Sequence, residues 1–188
     1  MDIKKTANLF INFTINKVAE IFGLIVFVAG IFLLISLITY SPEDPNFIFP
    51  DNTKIKNLLG FEGSFVSDLF FQSLGLISYL FSITLMVTGI NIFISKEFFL
   101  IIENIFFAII YSIFGSFFLE YFYSNSFTLY INGNGGFIGY FLNQTFLNSI
   151  VQINHTVFYY LLIFLSIFFF LISINFHLTK FYRLIKKI

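Results

Sequence analysis

The chain has 188 residues, of which 58% are hydrophobic, 22% aromatic and 11% charged, and its formal net charge is zero. A soluble domain carries about 25% charged residues, so too few are present here to solvate an ordinary globular surface, and long uncharged runs point to lipid as their solvent. Zero net charge leaves no basic excess for nucleic acid, and the lack of Cys excludes disulfides and thiolate metal sites.

Residues 1–20, with Lys4, Lys5 and Lys17, form a cytoplasmic N-terminal segment ahead of the first uncharged run, 21–40. At about 1.5 Å per residue that run covers the roughly 30 Å hydrocarbon core. It is too long for a signal-peptide core and no small-x-small cleavage site follows, so it is expected to stay as an anchor.

An outer loop, 41–68, opens on Thr39-Tyr40-Ser41-Pro42-Glu43-Asp44-Pro45 and also carries Asp51, Glu62 and Asp68. Pro42, Pro45 and Pro50 hold its start extended, and Asp44 is suited to accept backbone N–H groups in the turn. The second run, 69–94, is long enough to span with tilt. Along it Gly75, Ser82 and Gly89 recur every seven residues and are expected to face one neighbour.

After Ser95-Lys96-Glu97 comes a third run, 98–119, interrupted only by Glu103. Ala108, Ser112 and Ser116 recur there every four residues, a small-xxx-small stripe that allows close helix approach. Such a stripe serves either the bundle or a neighbouring subunit, and the spacing also arises by chance.

The second outer segment, 120–155, contains Asn132-Gly133-Asn134-Gly135-Gly136, a flexible turn in which Gly135 and Gly136, with Gly139 beyond, are the positions singled out. Residues 137–151 then alternate apolar positions with Asn143, Gln144, Asn148 and Ser149. They predict an amphipathic helix lying at the outer interface, a fifth crossing being the alternative. The last span is 156–177, with His155 and His177 at its ends, and 179–188 is a basic cytoplasmic end.

Lipid satisfies no backbone group, so the spans are helices, and the runs are too continuously apolar for a membrane barrel. The fold class expected is an all-α integral membrane protein with four transmembrane helices. With four crossings, eight of the lysines and arginines share one side, leaving Lys54 and Lys56 on the other. The positive-inside rule then puts both termini in the cytoplasm. The 32 Phe read as compositional bias at lipid-facing positions, and with no Trp the interfacial belt falls to Tyr40, Tyr121, Tyr123, Tyr130 and Tyr182.

Candidate chemistry is sparse. Glu103 reads as a carboxylate near the N-terminal end of its helix, where the dipole favours it and Lys96 is close by; a relay would need facing ionisable partners. His155 and His177 lie about 33 Å apart on a continuous helix and share no metal. No G-x-S-x-G, H-E-x-x-H or phosphate-binding loop occurs, and the glycine cluster at 133–139 runs into Tyr140 without a Lys. Catalytic, metal and cofactor residues are therefore expected to be none. Lys180, Arg183, Lys186 and Lys187 suit anionic lipid, at about 1 kcal/mol each.

The segment Thr39-Tyr40-Ser41-Pro42-Glu43-Asp44-Pro45 resembles the "(S/T)-Y-S-P-x-D-P" stretch that ends the first span in the N-terminal membrane domain of the FtsK/SpoIIIE family of bacterial DNA translocases. The likeness continues through Asn57-Leu58-Leu59-Gly60-Phe61-Glu62-Gly63 and through Gln72-Ser73-Leu74-Gly75 to Tyr79. Gly135-Gly136-Phe137-Ile138-Gly139 is similar to that family's Gly-Gly turn. The resemblance implies a four-helix anchor at the division septum of the inner membrane, contacting other cell-division membrane proteins. By the same resemblance it is a homo-oligomer, a hexamer, feeding a linker and a cytoplasmic ATPase motor. Neither linker nor motor lies in these residues, so no nucleotide hydrolysis and no direct nucleic-acid binding are expected of them. The competing class is a small transporter or channel subunit, for which Ser78, Ser82, Thr84 and Thr88 would have to line a path.

Overall fold

The computed structural model describes residues 3–45, 54–125, 129 and 132–176. Four of its helical stretches are long and apolar enough to cross a membrane: Asn8–Ile38, Gly60–Ser95, Leu100–Tyr123 and His155–Ser173. Asp51, Tyr130, His177, Tyr182 and the basic end 179–188 lie outside the described residues.

Helix α1 (Ile3–Ile38) runs without a break, because no proline precedes Pro42. At about 1.5 Å per residue its length is roughly 54 Å, far more than the hydrocarbon core. The run 21–40 is thus the outer part of a longer helix, whose residues 8–18 are exposed.

The second apolar run is two helices. Helix α2 (Gly60–Leu74) ends at Gly75, a 3₁₀ turn follows at Gly75–Ile77, and α3 (Ser78–Ser95) completes the crossing. Gly75 adopts φ 64°, a left-handed conformation that a residue without Cβ takes freely. Residues 60–68, read as loop from the sequence, are the first turns of α2, and Asp68 stands well inside that helix rather than at its start.

Lys96 caps α3 in the left-handed region, its N–H donating to the Ile92 carbonyl at 2.8 Å. The chain turns there into α4 (Leu100–Tyr123). The amphipathic segment after the Gly turn is also two helices, α5 (Gly136–Asn143) and α6 (Phe146–Ile153). Thr145 separates them, since its hydroxyl accepts the Leu147 N–H at 3.3 Å and starts a new helix. Asn154 likewise caps α7 (His155–Ser173), accepting the Val157 N–H at 3.2 Å.

In lipid, apolar side chains gain little by leaving one apolar surface for another, so close packing and interhelical polar contacts hold the bundle. Helices α1 and α3 run antiparallel and nearly touch backbones. A Cβ on Gly23 would lie 2.6 Å from the Phe93 nitrogen and 2.7 Å from the Gly89 carbonyl oxygen, and one on Gly30 would lie 2.7 Å from the Met86 nitrogen. Helix α4 packs along α7 and against α5. Three apolar clusters result, around Leu37 and Phe71, around Ala108 and Tyr111, and around Phe117 and Leu162.

Candidate functional site at the outer face

The face carrying residues 39–45, 54–59 and 132–135, termed outer from the lysine count, gathers most of the motif residues. Residues 41–44 form a turn in which the Asp44 N–H donates to the Ser41 carbonyl at 3.1 Å. The Asp44 side chain does not serve that turn. Its two carboxylate oxygens accept the N–H groups of Lys56 and Asn57, each at 2.8 Å, and the residue is only 3% exposed. Asp44 therefore joins the start of the outer loop to its far end. The expectation that it accepts backbone N–H groups has the right chemistry and the wrong partners.

The clamp continues inward through Asn57, which is buried. Its amide donates to the Ser36 carbonyl at 2.9 Å and its Oδ1 accepts the Leu59 N–H at 3.1 Å. The Ser36 hydroxyl donates to the Gly63 carbonyl, and Ser64 donates to the Pro45 carbonyl at 2.6 Å. Pro45 is buried and Pro42 half-buried, the latter inside the 41–44 turn, where its fixed φ suits the position after Ser41. Tyr40 stacks edge-on against Phe71 at 4.9 Å, and its hydroxyl donates to Asp68 at 3.3 Å. Gln72 reaches the same Asp68 oxygen at 3.4 Å.

The Gly turn is bound to the break between α2 and α3. The Leu76 N–H donates to the Asn134 carbonyl at 3.0 Å, and the Asn132 amide donates to both the Gln72 carbonyl and its side-chain oxygen, at 3.2 and 3.0 Å. A Cβ on Gly75 would run into the Asn134 carbonyl, and one on Gly136, itself at φ 63°, would lie 2.5 Å from the Gly75 nitrogen. Gly135 and Gly139 press on the Ser116 carbonyl and on Glu120 of α4. Ser116 completes the joint by donating to the Leu74 carbonyl at 2.8 Å.

The two small-residue stripes fare differently. Ala108, Ser112 and Ser116 are all buried on α4, with Ala108 packed beside Ile77 and Tyr111. Gly75, Ser82 and Gly89 do not face one neighbour. Gly89 and Ser82 face α1, whereas Gly75, being outside the helix, faces the Gly turn.

Away from the outer face, Glu103 is exposed. Lys96 does not help it: the Lys96 ammonium goes to Glu20, which also takes Lys17 at 2.7 Å. His155 rests against the rings of Tyr121 and Phe122, and the described residues contain no group of three metal-ligating side chains. Tyr123 and Tyr159 share a hydrogen bond of 2.9 Å at the outer end of α4 and α7.

The second-span hydroxyls are turned to groups on other helices or to backbone. Thr84 bonds Tyr111 at 3.0 Å and Ser173 at 3.1 Å; Ser82 and Ser78 donate to the carbonyls of Tyr79 and Gly75. These are interhelical and intrahelical ties, not groups offered to a path. Sequence reasoning passed over a further knot on the inner side. Asn104 donates to Thr88 at 2.8 Å and to the Asn175 oxygen at 2.9 Å, and Asn91 reaches that oxygen at 3.2 Å. The signal was available as amides inside otherwise apolar runs, and Gly23 and Gly30, also passed over, lie seven apart on α1.

A family model described as the 4TM region of DNA translocase FtsK/SpoIIIE matches residues 16–185. A DNA translocase FtsK of Rickettsia prowazekii (strain Madrid E) is 29% identical over 82 residues, which is 42% of this chain and 11% of that relative. The match thus spans about a ninth of the relative's own length. No solved structure matches the chain. With nearly its whole length covered by that model and four helices fit to cross a bilayer, the chain belongs to the 4TM membrane-region family of the FtsK/SpoIIIE DNA translocases.

Proposed function

We propose that this membrane domain anchors and positions a DNA translocase at the division septum of the inner membrane, with both termini in the cytoplasm and its outer face meeting other cell-division membrane proteins. On this reading the domain performs no catalysis, and nucleotide hydrolysis and DNA contact belong to a motor joined beyond the cytoplasmic end. Assembly as a hexamer would follow the motor's symmetry.

The observation that carries the reading is the outer clamp. Asp44, Asn57 and Ser36 are buried and spent on holding the loop, while Leu58 stands 76% exposed and Phe61 47% exposed at the start of α2. Two apolar side chains presented beside this clamp are suited to contact another membrane protein. The test is a C-terminal fluorescent fusion imaged in dividing cells. Cytoplasmic fluorescence with a band at midcell is the expected result, and Phe61→Asp should weaken the band without removing the protein from the membrane. A bright but even envelope signal would overturn septal placement.

A further inference from the structure

Between α1, α2 and α3 lies an apolar groove of about 480 Å³. Its walls come from α1, α2 and α3, with Ala29, Phe32, Val66, Phe70 and Leu85 along it and Glu62 at one end. The groove is graded. At the Glu62 end it meets Ser36 and Gly63, beside the polar clamp of the outer face; at the other it reaches Ala29 and Leu85, further along the spans from that face. From Ala29 to Ser36 the helix rise gives about 10 Å of depth.

We propose that this groove binds one phospholipid with a primary ammonium headgroup, an acyl chain lying along α1 and the ammonium held by Glu62. Charge complementarity selects this occupant. Among the described residues Glu62 makes no ion pair, and unlike Glu97 and Glu103, which make none either, it lines the groove. Glu62 is also exposed and lies in the first turn of α2, whose Leu59 cap supplies no side-chain acceptor. Of the first-turn N–H groups, that of Gly60 goes to the Asn57 carbonyl at 3.0 Å, and those of Phe61 and Glu62 stay available to a lipid phosphate. A carboxylate next to those N–H groups matches a zwitterion, with its cationic and anionic parts one bond chain apart. An anionic lipid with no ammonium would meet the carboxylate unfavourably. A partner helix lying in the groove would cover Glu62 with apolar surface and leave a desolvated carboxylate unpaired.

The test is mass spectrometry of lipids retained by the protein after purification from bilayers of equal phosphatidylethanolamine and phosphatidylglycerol. Wild type should retain the ethanolamine lipid in roughly two- to fivefold preference, the range that one exposed ion pair allows. Glu62→Gln should bring that ratio to about one while the chain stays folded, because the residue is exposed and the change nearly isosteric. Ala29→Phe, which fills the groove from an exposed position, should remove the retained lipid whatever its headgroup. Equal retention of both lipids by wild type would overturn headgroup recognition. Dimers cross-linked through cysteines placed at positions 29 and 66, with no lipid retained, would overturn the proposal in favour of a second copy in the groove.

Discussion

The outer clamp and helix α7 are held by opposite means. The clamp ties chain segments from α1, the outer loop, α2 and the Gly turn with directed hydrogen bonds, and Asp44, Asn57, Ser36 and Gly75 are each fixed by more than one constraint. Helix α7 buries only Leu162 and Ser173. It rests on α4 through rings, Phe169 against Phe107 and Phe114 at 6.1 and 6.0 Å, and Phe170 edge-on to Tyr111 at 5.5 Å. A ring in lipid is interchangeable with many apolar groups, but a carboxylate bridging two backbone amides is not. Sequence specificity therefore concentrates where geometry is polar or where backbones touch.

The largest expected effect comes from breaking the joint between the two glycine segments. Gly75→Ala forces a Cβ into the Asn134 carbonyl from a left-handed backbone, and strain with displacement of the Gly turn should cost about 3–5 kcal/mol. Thermal unfolding in detergent measures it. On the other side of the comparison, Phe164→Leu and Phe168→Leu, at exposed positions of α7, should change stability by no more than about 0.5 kcal/mol. Equal losses in the two regions would break the contrast.

Asp44→Ala ranks second. It removes the acceptor for the Lys56 and Asn57 N–H groups. Only the second lies at a buried residue, so a loss of about 1–3 kcal/mol is expected. Limited proteolysis from the outer side should cut the loop faster while the spans stay protected. A smaller effect tests one of the polar ties just past the inner end of α7, where Asn175 accepts from Asn104 and Asn91 beside the Thr84–Ser173 bond. Coupling between Asn104→Ala and Asn175→Ala should be about 0.6 kcal/mol, and no more than about 1.7, in line with interhelical hydrogen bonds in membranes. A double-mutant cycle on thermal unfolding reads it.

The same contrast explains what was legible. The four spans are long apolar runs, and the family likeness sits on Tyr40 to Pro45, Gln72 to Tyr79 and the Gly turn, so number of crossings and family could be read directly. The joint at Gly75 could not, because a glycine inside an apolar run has the same spelling whether it packs or bends; Gly75, Ser82 and Gly89 form a period in sequence while only the last two face α1. Thr145 hid the division between α5 and α6 inside a plausible amphipathic pattern. Asp44 was recognised as an acceptor, but its partners lie across the outer loop, a separation that local turn chemistry does not encode. Asn57 opens a family-like stretch and Ser36 carries no pattern, but the bonds that join them become visible only when α1 and α2 are laid side by side.

The smallest effect belongs to the rim of the clamp, where Glu43 pairs with Lys56. The Lys56 ammonium, by hydrogen bond first and charge second, holds the Glu43 carboxyl below its ordinary value of 4.5. In return Glu43 raises the Lys56 ammonium above its ordinary 10.5. A carboxyl depressed by folding contributes stability above its unfolded pKa and loses it as pH falls through the lowered one. An ammonium raised by folding contributes below its unfolded pKa and loses it as pH climbs through the raised one. The pair's contribution is therefore flat between about pH 4.5 and 10.5 and fades outside both ends. Both groups are open to water and salt, so screening leaves the plateau low. Glu43→Gln should flatten the acid limb of the unfolding profile slightly and leave the neutral region almost unchanged. A drop at neutral pH as large as that of Asp44→Ala would mean that the rim, and not the buried carboxylate beneath it, closes the loop.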